Sequence, residues 1–256
     1  MDTPTTNRPP HGHATYLDPA EVDSALRVEE HVSPELRNAI EQLLELIPLD
    51  SGGGATLVKA LLLSELIVHG RLTRVVEIGV YRGRLLLPLA LTAKWRATGE
   101  VIGIDPYSAQ AAEQHDAHAC SLDLKKWPHE IDWDGVYTGV HSTIVSHELQ
   151  RWCRVLRQRS EDAAQQFATE SIDLLHIDGN HDRASVIRDV ELYLPKVKTG
   201  GYIVLDDASW SSVWPAYRYL QANHELVFQL LDCRGVTANG VGGNDFAVFR
   251  IIESAL

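Results

Sequence analysis

Three cysteines in 256 residues, Cys120, Cys153 and Cys233, are too few and too widely spaced for a disulfide framework or a zinc cluster, and their odd number leaves one without a mate. They read as inert thiols. No apolar stretch approaches the roughly 18 residues that a membrane span requires, so no membrane partner is expected. The longest greasy segment, LVKALLLSELIV, is interrupted by Lys59 and Glu65 and reads as a buried helix. The opening MDTPTTNRPPHGH has no apolar h-region, which argues against a secretory signal and leads to the expectation of a cytoplasmic protein. Positive charge is scarce, with 23 Lys and Arg against 35 Asp and Glu and a formal net charge of -12. Nucleic-acid binding needs clustered cations to displace counterions, so no nucleic-acid partner is expected and a small molecule is favoured. The same acidity also keeps many cytosolic proteins soluble. No internal repeat is present.

The length suits one large domain with a terminal elaboration. Residues 1–54 read as an N-terminal tail and helical extension, with the first 20 residues either mobile or ordering over a ligand as a lid. Pro34, following Ser33, favours a helix through about Ile47, and "PLDSGGG" breaks it. A second helix is predicted over about Ala55 to Val68. From there the pattern changes to short β-branched runs, "RVVEIGV", "EVIGIDP", "SIDLLHID" and "GYIVLDDAS", separated by helical stretches. This alternation predicts an α/β fold with right-handed βαβ units on a parallel sheet. A third strand is placed at the end of "YTGVHS". After the fourth strand, Val186, Val190 and Leu194 mark a helix face packed on the sheet. "ELVFQLLDC" and "NDFAVFRII" are joined by a glycine-rich segment and predict an antiparallel pair at one edge. The long polar stretch from Tyr107 to Asp134, with Trp127 and Trp133, reads as a substrate wall or a decorated loop.

The acids lie at the carboxyl ends of the strands, where open α/β sheets bind ligands. "VVEIGVYRG" puts Glu77 and Gly79 at the end of the first strand and Gly83 at the start of a helix. The G-x-G-x-x-G spacing of a pyrophosphate site is absent. A carboxylate at Glu77 would repel a diphosphate but suits a cationic ligand such as the α-amino group and sulfonium of S-adenosylmethionine. Asp105 ends the second strand, where a carboxylate accepts both ribose hydroxyls. Asp178, Asp206 and Asp207 end the fourth and fifth strands. Neighbouring strands would bring these three carboxylates into one crevice, where their repulsion is costly unless a cation intervenes. Oxygen-only ligands suit Mg²⁺.

E-x-G-x-x-x-G after the first strand, the acid ending the second and the C-terminal antiparallel pair together resemble class I S-adenosylmethionine-dependent methyltransferases over residues 55–256. The resemblance implies a Rossmann-like, mostly parallel seven-stranded sheet with a C-terminal antiparallel strand, helices on both faces and an N-terminal helical extension. It also implies cofactor contacts from Glu77, Gly79, Tyr81, Gly83, Asp105 and Asp178, with His141 or Ser142 touching the adenine. An Asp after the fourth strand with an acidic pair after the fifth is the metal pattern of catechol O-methyltransferase-like enzymes. Their relatives that methylate sugars of macrolide and aminocoumarin antibiotics share it. "IDGNHD…LPKVKTGGYIVLDD" resembles the latter group. By that resemblance Asp178, Asp206 and Asp207 hold Mg²⁺ or another divalent cation, and the acceptor is a glycoside or diol with two neighbouring oxygens. The sugar-methylating relatives place an acidic base at the position of Asn180, and the catechol group places a lysine at that of His181. An amide cannot take a proton, whereas an imidazole is a competent base near neutrality, so His181 is the expected general base. His176 reads as a core histidine.

"GNHD" also occurs in two-metal phosphoesterases, which offers a metal-dependent hydrolase as a rival. That family needs further Asp-x-His, Gly-Asp and Gly-His-x-His motifs; "DAH" at 116–118 lies in a polar nonstrand segment, and the last two motifs are missing. A noncatalytic cofactor-binding module is the second rival. Self-association into a homo-oligomer is expected if the helix over 34–47 exposes its apolar face.

Overall fold

The computed structural model describes residues 32–48, 55–117, 123–231 and 245–253. The N-terminal tail, Cys120 and Cys233 lie outside the described residues. Ser33 Oγ accepts the Leu36 amide at 3.2 Å and Pro34 opens α1 (Pro34–Leu46). Leu36, Ile40, Leu43 and Leu44 of this helix are buried in the same core as the sheet. The apolar face invoked for self-association is therefore covered within the chain. Thr56 caps α2 (Leu57–His69) by accepting the Lys59 amide, and this helix buries Lys59 and Glu65 among its leucines.

Seven strands form one sheet: β1 (Arg74–Ile78), β2 (Glu100–Ile104), β3 (Cys153–Leu156), β4 (Ile172–Ile177), β5 (Val197–Asp206), β6 (Glu225–Leu230) and β7 (Phe246–Arg250). Their order is β3-β2-β1-β4-β5-β7-β6. The first five are parallel, and β7 runs antiparallel between β5 and β6. The connections carry α3 (Leu86–Trp95), α4 (Ala109–Ala112), α5 (Trp133–Ser146), α6 (Ser160–Ala163), α7 (Arg183–Tyr193) and α8 (Trp214–Asn223). Side chains alternate across the sheet as strand geometry demands. Val75, Leu174 and Val204 join α1, α2, α3 and α5 in one cluster, while Val76, Leu175 and Ile203 join α7 and α8 in the other. Among the described residues no helix is long and apolar enough to cross a membrane.

One element differs from the sequence expectation. "YTGVHS" belongs to α5 and not to a third strand; β3 begins at Cys153. Val136, Val140 and Ile144 recur every four residues on the buried face of α5, and Asp132 Oδ1 accepts the Gly135 amide to start the helix. Helical periodicity therefore outweighs the local β-branched composition. Cys153 is buried, which pushes its thiol up to about 12 and makes it unreactive.

The chain reverses direction of growth around β1, whose neighbours are β2 and β4, so the crevice beyond the carboxyl ends of β1 and β4 is the topological switch point. The N-terminal extension is tied to this region through Arg84. Its guanidinium donates to the carbonyls of Leu44, Ile47 and Ala55, which satisfies the exposed end of α1.

On the opposite face of the sheet, Asp189 of α7 is buried and accepts from Ser160 Oγ, while Tyr193 donates to the Ser160 carbonyl at 2.8 Å. Burial lifts the Asp189 carboxyl to about 6 although Ser160 opposes the shift. The unfolded chain thus ionises first as pH rises, and stability falls between about pH 4 and pH 6. Asp189→Asn should remove that penalty. Urea titrations are expected to show the variant gaining up to about 3 kcal/mol over the parent at pH 7.5; the gain should vanish at pH 4.

Candidate active site

The loop leaving β1 is held by the end of β2. Asp105 Oδ2 accepts the amides of Val80 and Tyr81 at 3.0 and 2.9 Å, and its Oδ1 accepts that of Tyr107 at 2.7 Å. Burial raises the Asp105 carboxyl despite these three donors. Gly79 lies at φ 88°, and a Cβ there would fall 1.9 Å from the carbonyl oxygen of Asp178. Its requirement for glycine is thus set by the close approach of two backbones. Gly83, at φ 76°, starts the turn into α3, and Tyr81, Tyr107 and Asp207 adopt left-handed conformations at φ 47°, 49° and 47°. Such backbone costs ~1 kcal/mol or more at each residue and concentrates at ligand sites. Tyr81 meets Trp127 and Trp133 edge to face at 5.6 and 5.8 Å, forming an aromatic group beside the donor loop.

Glu77 is buried behind this loop. Its Oε1 lies 3.2 Å from His176 Nδ1, and Oε2 has no hydrogen-bond partner. Burial raises its carboxyl well above the ordinary range even though the Lys59 ammonium opposes the rise. His176 is fully buried between Glu77 and Asp206, and burial pushes it well below the usual imidazole range. The sequence reading as a satisfied core histidine holds for its burial but not for its bonding, because its Nε2 has no hydrogen-bond partner.

Of the three acids predicted at the ends of β4 and β5, Asp178 and Asp207 face His181, whereas Asp206 faces Lys59 and His176. The charge of Asp206 acts on both Asp178 and Asp207. His181 Nε2 lies 3.7 Å from Asp178 Oδ1 and 3.4 Å from Asp207 Oδ2, without completing a hydrogen bond to either. Burial, and then the negative charge of Asp206, push both Asp178 and Asp207 well above the carboxylate range. Burial lowers His181 to about 4, which favours its neutral imidazole, and Nε2 has no hydrogen-bond partner. Trp210 covers the ring at 5.1 Å.

Sequence reasoning missed Lys59. It is 1% exposed, and its Nζ sits 2.6 Å from Asp206 Oδ2. Burial favours the neutral amine, but Asp206, Asp178 and Asp207 together raise its pKa. In return, although burial works against ionisation, Lys59 holds the Asp206 carboxyl down at about 2. The signal was a lysine in the first turn of a mostly apolar helix, its own amide capped by Thr56.

A divalent cation fits these residues on chemical grounds: the outer oxygens of Asp178 and Asp207 are hard donors, and His181 Nε2 is buried, unpartnered and aimed between them. The group whose ligand atoms all lie within 4.8 Å of one another is Glu77, His176 and Asp178, which shares only Asp178 with the predicted set.

The remaining residues of "GNHD" serve the framework. Asn180 Nδ2 donates to the carbonyls of Ala111 and Glu113, and Oδ1 accepts the Asp182 amide. The Asp182 carboxylate accepts the amides of His115, Asp116 and Ala117, and Asp116 Oδ1 in turn accepts the Arg183 amide. These bonds clamp the segment after β2 across the crevice. Ser142 is exposed on α5 and donates to the Thr138 carbonyl, whereas His141 packs on Tyr137, which meets Tyr107 beyond β2.

A family model described as a methyltransferase domain matches residues 76–208, more than half of the chain. An uncharacterized protein of Acanthamoeba polyphaga mimivirus is 31% identical over 156 residues; the match takes in 58% of this chain and 59% of that protein. Among solved structures, the O-methyltransferase NovP superposes with a TM-score of 0.59 at 14% identity, covering 85% of this chain and 100% of NovP. The O-methyltransferase of Bacillus cereus in complex with S-adenosylhomocysteine gives 0.54 at 15% identity, covering 90% and 94%. The O-methyltransferase TomG of Streptomyces achromogenes, involved in tomaymycin synthesis and bound to S-adenosylmethionine, gives 0.54 at 14%, covering 90% and 96%. At such identities the likeness is one of fold.

Asp182→Ala should leave the sheet intact but free the clamp. Hydrogen exchange at the amides of residues 115–117 is expected to accelerate by at least about tenfold, as for loss of a charge-assisted bond; unchanged exchange would remove the clamp from the account.

Proposed function

Because the chain belongs to the methyltransferase domain family, we propose that it moves a methyl group from S-adenosylmethionine to a hydroxyl of a small molecule, with Mg²⁺ or a similar divalent cation at the acid cluster. The observation that carries this reading is the unpartnered Nε2 of His181, facing Asp178 and Asp207 at the carboxyl ends of adjacent strands. When bound, S-adenosylmethionine supplies a methyl carbon activated by its sulfonium, and the cation an acidifying contact to two neighbouring acceptor oxygens. The chain's own groups do the rest.

Glu77 Oε2 would accept from the α-amino group of the cofactor. The strained loop through Gly79, Tyr81 and Gly83 would pass close along its chain, with Asp178 flanking it. Asp105, already holding that loop, would take the ribose hydroxyls on its remaining lone pairs. Of the adenine candidates, Ser142 already donates within its helix, and His141 has a buried, unpartnered Nε2. Asp178, Asp206 and Asp207 would hold the cation. His181 would remove the acceptor proton: its neutral ring is ready to accept, and Trp210 limits the access of water to it. Transfer would place the methyl group on the acceptor oxygen and leave S-adenosylhomocysteine, and His181 would hold the proton released by the hydroxyl.

The acceptor we favour is a vicinal diol on a sugar of a secondary metabolite, since two adjacent oxygens match a shared cation and the aromatic group of Tyr81, Trp127 and Trp133 suits the face of a ring. A phosphoesterase reading is disfavoured because Asn180 and Asp182 are engaged by backbone groups.

Calorimetric titration with S-adenosylhomocysteine should show one site per chain; no binding refutes the methyltransferase reading. EDTA should abolish transfer and Mg²⁺ restore it, and indifference to chelation removes the metal. His181→Ala should lower kcat by about 10²-fold or more with little change in cofactor affinity; an unchanged kcat removes it as the base.

A further inference from the structure

Phe246, the first residue of β7, is fully buried and pairs with Asp206 at the end of β5. Asp245, one residue earlier and 3% exposed, therefore stands at the rim of the crevice, at the start of a strand that lies between two others. It reaches across to the loop after β5. Its Oδ1 accepts the Ser209 amide at 3.1 Å, its Oδ2 lies 3.3 Å from the same amide and accepts the Ser209 hydroxyl, and its carbonyl accepts the Ala208 amide at 3.4 Å. Ala208 and Ser209 are the two central residues of a turn, closed by the Trp210 amide donating to the Asp207 carbonyl at 2.9 Å. The ends of that turn flank His181: Asp207 Oδ2 is 3.4 Å from Nε2, and the Trp210 ring lies 5.1 Å from the imidazole. The turn starts from left-handed backbone at Asp207. Such backbone persists only where its surroundings over-determine it, and Asp245 supplies that constraint from outside the loop.

We propose that Asp245 is a positioning residue for the proton acceptor: by gripping both central residues of the turn, it holds Asp207 and Trp210 against two sides of His181. This rests on the reading of His181 as the base. Asp245 acts through the turn, passing the rigidity of a strand paired on both sides to a strained loop. Without its bonds the turn relaxes, Trp210 swings off the ring and solvent reaches His181. A purely structural Asp245, one that merely fastened β7 into the sheet, would behave differently. His176 of β4 pairs with Val204 of β5, which pairs with Val248 of β7, so a loosened β7 would uncover His176 together with His181. The positioning role uncovers His181 alone.

The test compares the full-length chain with Asp245→Ala, Asp245→Asn and Ser209→Ala by acylating histidines with diethyl pyrocarbonate and locating the modified rings by fragment mass spectrometry. In the parent, His181 at 8% exposure and the fully buried His176 should both react slowly. Asp245→Ala should speed acylation of His181 by about tenfold or more, as expected for losing several bonds to one buried side chain, and leave His176 unchanged. Asp245→Asn, whose amide oxygen still accepts the Ser209 amide, should restore most of the protection. Ser209→Ala removes the hydroxyl bond alone and keeps the test decisive if Asp245→Ala fails to fold; His181 should then gain reactivity by about threefold or more. Unchanged His181 in the folded variants, an equal gain at His176, or no recovery with Asp245→Asn overturns the proposal. Acylation is read without donor or acceptor, and titration with S-adenosylhomocysteine on the same samples tests the methyltransferase reading separately. Exposure of His181 in a chain that binds no S-adenosylhomocysteine supports the hold on His181 while refuting that reading.

Discussion

The buried contact between Lys59 and Asp206 is what allows this fold to gather acids where it does. Glu77, Asp105, Asp178, Asp206 and Asp207 all sit at the carboxyl ends of strands around one crevice, and Glu77, Asp105 and Asp206 are withdrawn from water almost completely. Burial alone would neutralise such carboxyls, and breaking a buried pair by removing one partner typically costs about 3 to 5 kcal/mol. One ammonium placed between the helix layer and the sheet keeps Asp206 ionised and shapes the protonation of its neighbours. The site is therefore an electrostatic object whose parts cannot be read one residue at a time.

Much of the architecture was legible in the sequence because its signals are periodic. Alternation of β-branched runs with helical stretches gave the parallel sheet, and the two closing strands were correctly paired, although β7 proved to lie inside the sheet with β6 at its edge. The misplaced third strand has a simple cause: "YTGVHS" is β-branched locally, but the spacing of Val136, Val140 and Ile144 extends over a longer window and decides the matter. The apolar face of α1 was equally legible, but nothing in a one-dimensional pattern says whether a face is covered by the same chain or by another. Here Leu36 and Ile40 answer that directly.

The site was half legible for a different reason. Acids that terminate strands can be located once strands are recognised, so Glu77, Asp105, Asp178, Asp206 and Asp207 could be placed together in advance. Lys59 could not, because it comes from a helix nearly 150 residues before its partner and looks like an interruption in a greasy segment. Asn180 and Asp182 were obscured by their neighbour: sharing a tetrapeptide with His181, they invited a chemical role, yet their polar atoms are engaged by the backbone of residues 111–117. Adjacent positions in a motif divide between chemistry and scaffolding according to which way each side chain leaves the turn.

The contact between Gly79 and the carbonyl of Asp178 gives the crevice a mechanical character. Because no atom separates the loop after β1 from the start of the loop after β4, the two cannot shift independently. A displacement imposed on one by an occupant is handed to the other through bare backbone, without side chains that might flex and absorb it. The wall that would cradle a donor and the wall that bears the acids thus behave as a single hinge-free piece, and their relative spacing is fixed before anything enters.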